Sequence, residues 1–126
     1  MEFLGEWGER GDGPGQLSQP AGIATDRNGF VYLADAESGF IQKFDSLGSP
    51  RFSFHDPLLE RPAGIAVDRG GAIYVTDSAR NQVVIFFPDG RRMRRVTGGP
   101  GQRLQSPAGI AVGEDGNVYV AEQTGH

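Results

Sequence analysis

The 126-residue sequence predicts an all-β fold, in which four-stranded antiparallel meanders stack about an axis as the blades of a propeller. Three observations carry this. The pentapeptide Pro-Ala-Gly-Ile-Ala occurs at residues 20–24, 62–66 and 107–111, so successive copies lie 42 and 45 residues apart. A period of about 40–50 residues marks a propeller or a solenoid. Fixed offsets follow each copy: Gly29, Gly71 and Gly116, then Tyr32, Tyr74 and Tyr119, then Asp35, Asp77 and Glu122. Between these positions the apolar residues fall in short runs rich in β-branched and aromatic side chains. No stretch keeps a 3.6-residue apolar period for three turns.

The first repeat predicts strands over residues 21–26, 30–34, 40–44 and 51–54, with turns at Asp26-Arg-Asn-Gly29 and Asp45-Ser-Leu-Gly48. Glycine suits the positive φ of such turns. The second repeat predicts strands over 63–68, 72–76, 82–86 and 91–96. The third supplies two strands, 108–112 and 117–121, and residues 2–7 have the place of a strand four. The blades therefore span residues 20–54 and 62–96, with a half blade at 107–121 and a single domain over 1–126. A third strand is expected to be missing from the last blade, as in a sequence cut in mid-repeat.

A lone meander cannot bury both faces, so repeats must stack. Radial stacking places strand one innermost, where Gly22, Gly64 and Gly109 permit close backbone approach. Ile23, Ile65, Ile110, Val31, Ile73 and Val118 are expected between blades, with the three tyrosines packed there and their hydroxyls bonded.

Twenty glycines and eight prolines suit short strands joined by tight turns. The net charge of −4 disfavours a general nucleic-acid or anionic-membrane binder. The absence of cysteine removes disulfides, thiolate metal sites and thiol nucleophiles. No apolar run approaches a membrane span, and Met1 is followed by no basic start and no apolar h-region. The compartment is left open.

The strings Pro62-Ala-Gly-Ile-Ala-Val-Asp68, Gly71-Ala-Ile-Tyr-Val-Thr-Asp77 and Asn81-Gln-Val-Val-Ile-Phe86 resemble the NHL repeat. Ile73-Tyr-Val-Thr-Asp77 is also similar to the YVTN motif of bacterial surface propellers. Departures are Gly39 at the place of Asn81, Gly113 at that of Asp26 and Asp68, Glu122 for the aspartate, and Phe40 and Gln82 where a basic residue is expected. The resemblance implies a propeller, commonly six-bladed, of which this chain would form about half. It implies a protein-binding platform, with RNA binding in some members and catalysis in a few relatives.

Antiparallel order puts the strand two–three and four–one loops on one rim. A carboxylate ring of Asp35, Asp77 and Glu122 near the axis could hold Ca²⁺. The competing role is capping of loop N–H groups, which is favoured because a site is needed once and a turn in every blade. His55 beside Asp56 is read as a loop histidine, and two histidines are too few for a histidine-rich zinc site. Arg91, Arg92, Arg94 and Arg95 form a basic patch on an outer strand, where edge charge also discourages aggregation.

The sequence thus points to a non-enzymatic protein- or peptide-interaction module with no cofactor, its contacts on the four–one loops at Leu17, His55, Leu58, Leu59 and Arg103. Two blades and two partial ones cannot close a ring, so a longer parent chain or a homodimer reaching six blades is expected. A propeller hydrolase or lyase with an axial metal is the alternative, and RNA binding through the arginines a third.

Overall fold

The computed structural model describes residues 9–10, 16–17, 20–97, 107–113 and 115–122. Within them lie twelve strands and no helix: β1 Glu9–Arg10, β2 Gln16–Leu17, β3 Pro20–Thr25, β4 Val31–Asp35, β5 Ile41–Phe44, β6 Pro50–Phe54, β7 Pro62–Val67, β8 Ile73–Asp77, β9 Gln82–Phe86, β10 Arg92–Val96, β11 Pro107–Val112 and β12 Val118–Glu122. The order β3-β4-β5-β6 makes the first blade and β7-β8-β9-β10 the second, each an antiparallel meander. β11 and β12 repeat the inner half of a blade. The expected strands are present, most with a one-residue shift in their bounds.

One difference concerns the N-terminal region. The strand placed at residues 2–7 lies outside the described residues. The connection after it carries β1 and β2, paired in parallel. Strands of two residues leave no side-chain alternation from which to read them.

The repeat recurs down to its irregularities. In all three copies the β-ladder slips between the proline and the glycine of strand one, at Pro20/Gly22, Pro62/Gly64 and Pro107/Gly109. A Cβ added at Gly22 would stand 3.1 Å from the Ala63 carbonyl oxygen and 3.1 Å from the Gly64 Cα. The partner atoms are main chain of the next blade's strand one, so glycine here is what lets the inner strands meet. The exchange of Gly39 for Asn81 has a conformational cause as well. Both adopt positive φ, 78° and 50°, and asparagine is among the residues that tolerate this region.

Among the described residues no main-chain ladder joins one blade to the next, so side chains hold them together. Tyr32, Ala34 and Ile41 of the first blade form one core with Ile65, Ile73, Val75, Val84 and Phe86 of the second. Alternation along β4 and β5 sends Val31, Leu33 and Phe44 to the first blade's other face, where they form a smaller buried cluster. Ile23 and Val118, expected between blades, are instead 40% and 41% exposed. Ile23 pairs with Leu33 on the face turned away from the second blade. Val118 opens β12, which has no described third strand beside it, whereas its counterpart Ile73 is shielded by Phe86.

Leu59 requires a correction. Placed among the partner contacts by sequence, it is only 2% exposed and belongs to the core between the blades. The four–one connection folds this side chain inward, and burial of a leucine contributes about 1.5–3 kcal/mol that an exposed contact would forgo.

Candidate functional site

The best-defined loop cluster is the rim where residues 55–61 connect β6 to β7. Asp77, fully buried at the end of β8, organises it. Its Oδ2 accepts from the Glu60 N–H at 2.8 Å and from Gln82 Nε2 at 3.0 Å. Its Oδ1 accepts from the N–H groups of Arg61 (3.0 Å), Ala79 (3.1 Å) and Arg80 (3.3 Å). The aspartate thus caps its own loop and also fixes the incoming chain sixteen residues upstream.

Other side chains of the second blade hold the same loop. Gln82 Nε2 donates to the Leu58 carbonyl at 2.6 Å, and Arg80 Nη1 to the same carbonyl at 3.3 Å. Arg80 Nε also pairs with Glu60 at 3.0 Å, and Arg92 with Asp56 at 2.7 Å. The His55 ring lies 5.2 Å from Phe40, tilted at 31°. His55 and the half-buried Leu58 are therefore presented from a loop whose backbone is clamped on one side.

The other sequence-picked residues separate. Asp35 Oδ1 accepts from the N–H groups of Glu37 (3.0 Å) and Ser38 (3.2 Å), the capping geometry of an Asx turn. Glu122 ends β12 opposite Pro107. Leu17 ends β2, and Arg103 lies outside the described residues. Among the described residues no three His, Cys, Asp or Glu side chains gather as a metal would require. β10 is exposed throughout at the outer edge of its sheet. Three arginines of the basic patch have partners: Arg91 with Asp89 and Arg95 with the Gln82 Oε1 of the same blade, and Arg92 with Asp56 of the 55–61 loop.

Sequence reasoning treated Asp26 and Asp68 as turn residues, which accounts for two of the three side-chain hydrogen bonds each makes. Asp26 Oδ1 does accept from Asn28 and Phe30 N–H, but its Oδ2 takes the Tyr32 hydroxyl at 3.0 Å. Asp68 does the same with Gly70, Ala72 and the Tyr74 hydroxyl, also at 3.0 Å. Burial, and then the adjacent carboxylate, push both phenols above their ordinary pKa of 10. The constant six-residue offset was the available signal. Where Gly113 supplies no carboxylate, Tyr119 is 60% exposed.

The NHL repeat family model matches residues 17–44 and 59–86, which are the inner strands of the first and second blades with the connections leading into them. Over these two segments the chain carries the NHL repeat. Over 43 residues it is 42% identical to the mouse (Mus musculus) E3 ubiquitin-protein ligase TRIM71, a match covering 34% of this chain and 5% of that protein. Among solved structures the chain is similar to one in the crystal structure of the nidogen/laminin complex, with 29% identity and a TM-score of 0.72. That match covers 83% of this chain and 40% of the other. Virginiamycin B lyase from Staphylococcus aureus matches with 18% identity and a TM-score of 0.69, over 86% of this chain and 36% of the lyase, a likeness of fold. The chain spans under half the length of each of these relatives, as a partial propeller does.

Proposed function

We propose that this chain is a non-enzymatic interaction module that presents its rim loops to a protein or peptide. The observation that carries the reading is the clamped loop at residues 55–61, whose carbonyls and N–H groups are tied to Asp77, Arg80 and Gln82. A loop ordered before binding loses little further entropy when a partner arrives. His55 and Leu58 are its contact residues. The carboxylates that motivated a metal-dependent hydrolase or lyase, Asp35 and Asp77, are engaged with main-chain N–H groups, which favours the binding role. A random-peptide display selection against the chain should return ligands whose affinity drops at least tenfold with Leu58→Asp or His55→Asp. Ligands indifferent to both substitutions would move the binding surface elsewhere.

The ring closes at six blades, through a longer parent chain or a second copy. Propellers use about four to eight blades, and this chain contributes two full blades and part of a third. Light scattering coupled to size exclusion separates the routes. Twice the chain mass at micromolar concentration supports the homodimer, and a single-chain mass excludes it, leaving the longer chain.

A further inference from the structure

We propose that the crevice between the first two blades, at the end opposite the rim loops, binds a compact anionic group, a phosphate or a carboxylate. The crevice encloses about 180 Å³ and is lined by both β-turns that follow strand one, with Lys43 in its wall. The Lys43 ammonium is held over three rings, 4.2 Å from the Phe30 centroid and 5.5 Å from those of Tyr32 and Phe52. Such cation–π contacts orient the charge without neutralising it.

The second blade acts as an internal control. At the places of Phe30, Lys43 and Phe52 it carries Ala72, Ile85 and Arg94, and Ile85 is buried. The blade fold therefore has no need of a lysine at this position, and the aromatic–lysine cluster belongs to this crevice alone among the described blades.

The charge balance in the crevice favours an anion. Both carboxylates there are spent on their own turns and tyrosines: Asp26 on Asn28, Phe30 and Tyr32, Asp68 on Gly70, Ala72 and Tyr74. Three cations line the same space, Arg27, Lys43 and Arg69. The ion pairs among the described residues involve Arg80, Arg91 and Arg92, so none of these three is matched to a carboxylate. Low-dielectric aromatic walls would strengthen the attraction of these cations for an oxyanion.

Proton–nitrogen correlation spectra of the full chain, titrated with phenyl phosphate and separately with benzoate at constant ionic strength, test this. Saturable shifts confined to the amides of residues 26–32, 43 and 68–72 are expected, and the arm that saturates at lower concentration identifies phosphate or carboxylate as the preferred group. Lys43→Met, which keeps an apolar stem where the other blade has Ile85, should weaken binding about tenfold or more. Should that variant fail to fold, Arg69→Gln on the exposed turn gives the same comparison. Shifts that never saturate, that centre on β10, or that are unchanged in the folded variant would overturn the assignment.

Discussion

Alanine at Asp77 should lower the stability of the chain by about 4 kcal/mol, read as a drop in the urea midpoint. The carboxylate is fully buried and accepts five hydrogen bonds, from Glu60, Arg61, Ala79, Arg80 and Gln82. Bonds to a charged acceptor contribute about 1.5–3 kcal/mol each, but the loss is not their sum. The N–H groups of Glu60, Arg61, Ala79 and Arg80, all on exposed residues, can in part turn to water, whereas the buried Gln82 amide would face the void left by the carboxylate. Hydrogen exchange localises the effect, because the Glu60 and Arg61 amides should lose protection before the strands do. Asparagine keeps one acceptor oxygen while setting an NH₂ against neighbouring donors, and should cost about half as much. A change under about 1 kcal/mol in the alanine variant, with those amides still protected, would show that the loop holds itself without the aspartate.

That prediction also marks where sequence reasoning stopped. The repeat, the strands and the hub glycines were legible because each depends on residues close in sequence or on a spacing repeated three times. Gly22 and Asp35 illustrate this: a missing Cβ and a loop-opening acid have meaning locally. The second half of Asp77's role was hidden, since its partners Glu60 and Arg61 lie seventeen and sixteen residues upstream and have no like residue at their places in the other connections. Leu58 and Leu59 were separable by register: Leu59 stands three residues before its proline, as Leu17 and Leu104 do, while Gln16 and Arg103 hold the place of Leu58. Leu58 is half-buried on the rim and Leu59 fills the core. Lys43 did stand in the sequence as a break in the repeat, opposite Ile85, but the rings around it come from two other strand segments.

Phe86→Ala should be as damaging as the loss of Asp77, through a different mechanism. The ring has no exposed surface, and meets Phe54 edge-on at 5.0 Å and 63°. Truncating a buried phenylalanine costs about 3–5 kcal/mol, from lost transfer energy and the cavity left behind. Its position raises the consequence, because the blades share no ladder and the first is joined to the second by side chains such as this pair. Removing the ring therefore weakens an inter-blade contact as well as a strand, and in a stacked array such contacts carry the cooperativity. Denaturant unfolding should shift to lower midpoint by that amount, and Phe86→Leu should recover most of it. A double-mutant cycle with Phe54→Ala should return a coupling of about 0.5–1.5 kcal/mol, the range for an edge-on aromatic pair. Additive losses would mean that the two rings stabilise their own blades separately, and the join between the blades would then rest on Ile41, Ile65 and Val75.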